Sequence, residues 1–292
     1  MIKLKDLLLE NDTPNIFIPR RIEDRNVRLN QLTQKEVNKI VDEYNKKKGS
    51  EGYFNNNLFI SGESEDGDDS DLTLDGEFEI PNTLKEVRES LFLSDSNVTK
   101  LPDNLKIKGS LNVSVCRKLK TLPRGLSANN IDATESGITD IPDDLQCNYL
   151  NLSLTKIKQL PLFKNYIQSI DLEACKYFKT LPVGFTAGNL EIKESNSFVS
   201  IPDNTNLKRL EIAECQKFTS IGNNCSIDTL IISYSCDNFT ILPTDIKINK
   251  LHSVYNSVFK TQLINKYKTK PKVITALKSM YPNIKEFYFF WK

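Results

Sequence analysis

Residues 150–161, Leu150-Asn151-Leu152-Ser153-Leu154-Thr155-Lys156-Ile157-Lys158-Gln159-Leu160-Pro161, decide the fold once they are set above residues 170–182, Ile170-Asp171-Leu172-Glu173-Ala174-Cys175-Lys176-Tyr177-Phe178-Lys179-Thr180-Leu181-Pro182. Both stretches open on an apolar-x-apolar pair and carry a small hydroxyl or thiol five residues on. Both then place an apolar anchor and close on Leu-Pro. The same start recurs at Leu91, Leu111, Ile131, Leu150, Ile170, Leu190, Leu210, Leu230 and Leu251, at spacings of 20, 20, 19, 20, 20, 20, 20 and 21. A fixed period of this length means one supersecondary unit stacked on itself, because a single unit cannot bury its own apolar face.

Within the unit, the apolar-x-apolar pair reads as a short strand whose two apolar side chains point inward and whose middle residue points out. The small polar slot is Ser96, Cys116, Ser136, Thr155, Cys175, Ser195, Cys215 and Ser235. There the chain turns, and a short hydroxyl or thiol can satisfy backbone groups that the stack buries. A second anchor follows at Val98, Leu119, Ile138, Ile157, Phe178, Phe198, Phe218 and Phe239. The Leu-Pro or Ile-Pro pair, as in Leu101-Pro102, Ile141-Pro142 and Leu242-Pro243, stiffens an extended return. Four residues later Leu105, Leu126, Leu145, Phe185, Cys225 and Ile246 refill the interior. The short return leaves no room for a helix with its turns, so extended or 3₁₀ segments are expected on that side.

This pattern resembles the leucine-rich repeat family, in the short subtype common in bacterial effectors. The resemblance covers roughly residues 85–259 and, more loosely, Leu58-Phe59-Ile60 and Leu72-Thr73-Leu74. It implies an α/β repeat solenoid with a parallel sheet on its concave side and extended or 3₁₀ structure on its convex side. One departure is that Ser, Cys or Thr stands where the family usually has the turn Asn. The expected organisation is an N-terminal helical cap or arm over 1–55, the solenoid over 56–259, and a mixed helix and strand cap over 260–292.

Both ends of a stacked core must be covered. At the N-terminal end Thr33 and Glu36 make a capping box, and Val37, Ile40, Val41 and Tyr44 follow at helical spacing up to Gly49. Residues 1–10 read as a weaker helix and 12–30 as an Arg-rich connection, with a partner-induced docking arm as the competing reading. The opening is also similar to the start of many tailed-phage proteins, which makes a phage-encoded chain part of the alternative. At the other end Pro271–Met280 reads as a helix with Val273, Ala276, Leu277 and Met280 on one face. The run Phe287-Tyr288-Phe289-Phe290-Trp291 reads as a covering strand in preference to an exposed aromatic tail.

The 292 residues carry 39 basic and 38 acidic side chains, so the whole chain has no field that would select nucleic acid or membrane. No apolar run reaches the length of a membrane span, and the apolar stretch near Met1 is too short for a good signal peptide. Most of the six cysteines fall in repeat slots. Free buried thiols fit a reducing compartment, so a cytoplasmic location is expected, in the host cytoplasm or a virion if phage-encoded. Charge is nevertheless uneven. Residues 63–79 hold nine acids and no base, an insertion placed at 62–79; its Asp66, Asp68, Ser70 and Glu77 match a calcium loop that lacks the Gly at its sixth position. Residues 247–292 hold ten lysines against Glu286 alone, without Arg, and nucleic-acid contact is disfavoured there.

The strands supply the candidate site. The outward position runs through Phe92, Asp132, Asp171, Glu191, Glu211 and Ile231; beside it lie Glu135, Glu173, Glu194, Glu214 and Tyr234. Neighbouring strands lie ~4.8 Å apart, so these carboxylates form one acidic surface, flanked by Phe92, Ile231 and Tyr234. A merely soluble face is the bland account; a binding face for a basic protein is the functional one. With one histidine, His252, and no Gly-rich phosphate loop, neither catalysis, a metal nor a cofactor is expected. The expected role is non-catalytic protein–protein binding, as adaptor or inhibitor. A virion or assembly component, with self-assembly, is the alternative.

Overall fold

The computed structural model describes residues 33–46, 58–60, 76–233, 235–240, 242–253, 258–282 and 284–289. They build a parallel β-solenoid around one continuous core that runs from Val37 to Ile284. Eleven strands form a single all-parallel sheet, from Leu58–Phe59 at one edge to Glu286–Phe289 at the other. The register is the repeat itself: Leu58, Leu91, Leu111, Ile131, Leu150, Ile170, Leu190, Leu210, Leu230, Leu251 and Phe287 pair in succession. The leucines and isoleucines of this row are almost wholly buried. A one-residue slip would turn the whole row to solvent, so apolar alternation pins the pairing.

Two further ladders of parallel contacts complete each turn. One runs on the return side, where Phe78–Glu79 pairs with Val98–Lys100 and Ser200–Ile201 with Ser220–Ile221. The other runs through Glu86–Val87 and Lys106–Ile107, and later merges into the long strands Thr186–Lys193, Asn206–Ala213 and Ser226–Ile232. Among the described residues from 58 to 253 there is no helix of any kind, so the returns are extended rather than 3₁₀.

Each turn has two sharp corners. At the first, four residues after most strand starts, Asp95, Val115, Glu135, Leu154, Ala174, Glu194 and Glu214 all have left-handed φ between 49° and 61°. At the second, Gly125 and Gly184 share that conformation with Asn104, Asn204 and Asn224, the residues that tolerate it best. After the first corner comes the small polar ladder. The Cys116, Cys175 and Cys215 thiols donate to Leu93 O (2.9 Å), Leu152 O (3.1 Å) and Ile192 O (3.6 Å), each in the preceding turn. The Ser195 hydroxyl does the same to Leu172 O (3.1 Å). In the last turn the slot belongs to Cys236, which donates to Ile212 O, and not to Ser235. Ser235 is the left-handed, exposed corner residue, because this 21-residue unit carries its extra residue before the turn. All six cysteines are free and buried.

The first turn differs from expectation. Leu58 N donates to Ser90 O and Ile60 N to Phe92 O (both 2.8 Å), so Leu58–Phe59 lies directly beside Leu91–Phe92. No strand stands between them, and Leu72-Thr73-Leu74 lie outside the described residues. Phe78, Ile80-Pro81 and Leu84 are the anchors of this same turn, in line with Val98, Leu101-Pro102 and Leu105. The acidic stretch is thus inserted within one repeat, and its expected end, 78–79, is an ordered strand.

The helix Gln34–Lys46 begins with the capping box: Thr33 N donates to Glu36 Oε2 (2.8 Å) and Glu36 N to Thr33 Oγ1 (3.4 Å). Its Val37, Ile40, Val41 and Tyr44 are buried, and Gln34 bonds both backbone groups of Glu79. At the far end the helix Lys270–Met280 buries Val273 and Leu277 but leaves Met280 exposed. A further helix, Val258–Tyr267, precedes it. Its sequence has weak amphipathic periodicity, which is why sequence reading passed over it. The strand Glu286–Phe289 then pairs with Lys250–Ser253. The expected segments over 1–30 lie outside the described residues, as do Asp66, Asp68 and Ser70.

Candidate functional site

Alternation along the sheet sends Phe92, Asp132, Asp171, Glu191, Glu211, Ile231 and His252 to the outward face, each half-buried between its neighbours. In-register pairing sets Asp171 beside Glu191 and Glu191 beside Glu211. Three carboxylates in a row repel each other unless something compensates them. Compensation comes largely from residues one position before the strand start, which share the outward face by the period of two. Tyr149 OH donates to Asp171 Oδ2 at 2.5 Å, and Arg209 reaches Glu211 Oε2 at 2.6 Å. Lys193 stands between, paired with Glu191 and 3.6 Å from Glu211.

Titration follows from these contacts. Burial pushes the Asp171 carboxyl above its ordinary range, with Glu191 adding to the shift and the Tyr149 hydroxyl opposing it. Burial and the bond to Asp171 push the Tyr149 hydroxyl up. The Glu191 carboxylate holds the Lys193 ammonium above its usual value. In the earlier turns the outward polar groups are used locally. Asn112 Oδ1 accepts from Ser114 N (2.9 Å) and Oγ (2.7 Å), and Asp132 Oδ1 accepts from Thr134 N (3.0 Å) and Oγ1 (2.6 Å).

The uncommitted acids are at the edge of this face. Glu173, Glu194 and Glu214 are exposed and make no ion pair among the described residues. Glu135, on the same corner row as Glu194 and Glu214, is tied to Arg117 at 2.7 Å. Tyr234 lies outside the described residues. Sequence reading thus placed the acids but left out Tyr149 and Arg209, whose signal was the period of two extended backward by one residue.

Toward the C-terminal edge the His252 ring lies against Tyr288 at a tilt of 48°, with ring centroids 4.4 Å apart. Burial, with the Arg209 and Lys250 cations, holds its imidazole below the ordinary value. Among the described residues no group of three His, Cys, Asp or Glu side chains is placed to hold a metal, and no helix is long and apolar enough to cross a membrane. The arrangement is that of a solenoid repeat protein presenting a long, polar, largely internally paired face. No protein-family profile, curated protein or solved structure matches this chain.

Proposed function

We propose that this chain is a leucine-rich-repeat-type solenoid that binds a basic protein partner without catalysis, as an intracellular adaptor or inhibitor. The outward sheet face would be the concave side of that repeat type. The carrying observation is the first corner. Eight turns hold a side-chain-bearing residue there in a left-handed conformation that glycine adopts at no cost, a strain of about 1 kcal/mol each. Keeping Glu194 and Glu214 there projects two charges to solvent with no internal partner, and Glu173 joins them. Such uncommitted acids beside a rigid, internally neutralised face suit cationic side chains of a partner better than they suit stability. Asp171, Glu191 and Glu211 serve as the supporting layer, since their charges already have Tyr149, Lys193 and Arg209.

The test is partner capture from the native host with wild type and with the triple variant Glu173→Lys, Glu194→Lys, Glu214→Lys. Loss of the partner, with an unchanged urea midpoint, is expected; recovery of the same partner at the same level would sink the reading. An assembly role is the second reading. It is favoured by exposed Lys266, Lys268, Lys270 and Lys272 late in the chain and by the acid-rich composition of residues 63–79 early in its sequence. Solution mass at low and high salt separates the two, because salt-sensitive rings or filaments follow from the second and a salt-insensitive monomer from the first.

A further inference from the structure

A second surface, apart from the outward sheet face, runs along the corner where each return bends into its sheet strand. Two open clefts lie end to end there. One, of ≈ 620 Å³, takes its walls from turns between Glu86 and Tyr166; the other, of ≈ 330 Å³, from turns between Tyr166 and Asn249. Tyr166 lines both. The walls are two parallel rows, one including Ser127, Gln146, Thr186 and Asn206, the other including Asn129, Asn148, Lys208 and Asn249.

The chemistry of these rows is uncommon for a bare surface. Six amides stand there beside four lysines, with the acids Glu86 and Asp228 already engaged by Lys108 and Asn249. Some amides are fixed in place: Asn148 Nδ2 donates to Asn129 Oδ1 at 2.6 Å, and Asn165 Nδ2 to the Asp144 and Leu145 carbonyls at 3.2 Å. An amide offers both a donor and an acceptor in one plane, the pattern that vicinal hydroxyls use. Tyr166 is 52% exposed, a large apolar ring held in the open where the clefts meet. Its hydroxyl reaches over Gly188 of the next turn, where a Cβ would meet the Gln168 carbonyl at 2.2 Å and the Tyr166 hydroxyl at 2.9 Å. The Lys208 ammonium stands 5.8 Å from the ring centroid. Lys106, Lys208 and Lys247 along the clefts have no ion pair among the described residues.

We infer that this double cleft binds a linear acidic oligosaccharide laid along the stack. Successive turns rise by ~4.8 Å, comparable with one pyranose unit of an extended chain, so sugars and repeats keep step. A ring stacks its C–H face on Tyr166, the amide rows take its hydroxyls, and Lys106, Lys208 and Lys247 take its carboxylates. A peptide would leave its backbone groups facing side chains that do not repeat at its spacing, and Tyr166 as the one aromatic lining the clefts gives a nucleic acid little to stack on.

The experiment is calorimetric titration of the full chain with a hexamer of galacturonic acid, with a neutral glucose hexamer and a single-stranded hexanucleotide as competitors. Saturable binding of the acidic hexamer is expected, with at least tenfold weaker binding of the neutral one. Tyr166→Ala should weaken it tenfold or more, Tyr166→Phe should preserve it, and Lys208→Gln should weaken it most at low salt. The Lys triple variant at 173, 194 and 214 should bind the sugar as wild type does, which keeps this surface distinct from the protein-binding face. No saturable binding at millimolar hexamer, indifference to Tyr166→Ala, equal binding of the neutral hexamer, or tighter binding of the hexanucleotide would each overturn the assignment.

Discussion

Leu154 shows how a repeat imposes its geometry on a residue poorly suited to it. It is 51% exposed and has φ 61°, so it gains little from burial and still bears the steric cost of the left-handed region. Leu154→Gly is expected to stabilise the chain by ~1 kcal/mol, read as a higher urea midpoint at unchanged slope. A lower midpoint would mean that the Leu154 side chain makes contacts worth more than the backbone strain. The thiols illustrate the opposite relation. Cys116, Cys175 and Cys215 were readable as one slot from sequence alone, yet Cys236 was displaced from its place by one residue. Sequence gave no way to decide where the extra residue of a 21-residue unit goes, since Ser235 and Cys236 are both small and polar. The chain resolves it by burial: the thiol goes inside and the hydroxyl stays in solvent.

Among the elements, the interior stack of Phe178, Phe198, Phe218 and Phe239 is the clearest case of neighbours shaping each other. Successive rings lie 5.5, 5.7 and 5.2 Å apart and within 12° of parallel. The solenoid imposes this near-parallel overlap, because identical slots in successive turns superimpose. Phe198→Ala leaves a void between two rings and should cost ~4 kcal/mol in urea or thermal unfolding. The earlier turns use Val98, Leu119, Ile138 and Ile157 in the same slot, and Val98→Ala should cost ~2–3 kcal/mol, the smaller deletion. Helices were legible in proportion to their amphipathic contrast. The capping box and the Val37, Ile40, Val41, Tyr44 spacing announced the first one, while Val258–Tyr267 has apolar and polar residues spread around its circumference.

For the whole molecule, stacking makes stability nearly one-dimensional, each turn supported by its two neighbours. Deleting residues 190–209 removes one period and joins Asn189 to Leu210 with every slot in register. That variant should unfold cooperatively with an unchanged type of circular-dichroism spectrum, whereas deletion of 190–199 alone should not fold. Alkaline pH tests the same core. Burial pushes the Cys147 and Cys215 thiols up to about 12 and those of Cys175 and Cys236 up to about 11, from the ordinary 9.0. A folded value above the unfolded one means that stability is fully present below pH 9.0 and is lost as pH rises through 11 to 12. The urea midpoint should therefore fall between pH 7.5 and pH 10, and Cys175→Ser with Cys215→Ser should flatten the fall. A midpoint independent of pH in the parent chain would contradict the burial of these thiols.

The period, the strand row from Leu91 to Leu251 and the inward or outward sense of nearly every repeat position were determined by sequence alone. A period of two within a period of twenty leaves only one way to bury the leucines. What tertiary structure decided was everything that depends on which turns touch. It placed Leu58 against Leu91 across the acid-rich insertion, and it set Tyr149 against Asp171 of the neighbouring strand. It also brought Tyr166 to the place where two clefts meet, beside Gly188 of the next turn. These relations span 20 or more residues and arise from close approach of backbones, a distance that no local pattern encodes.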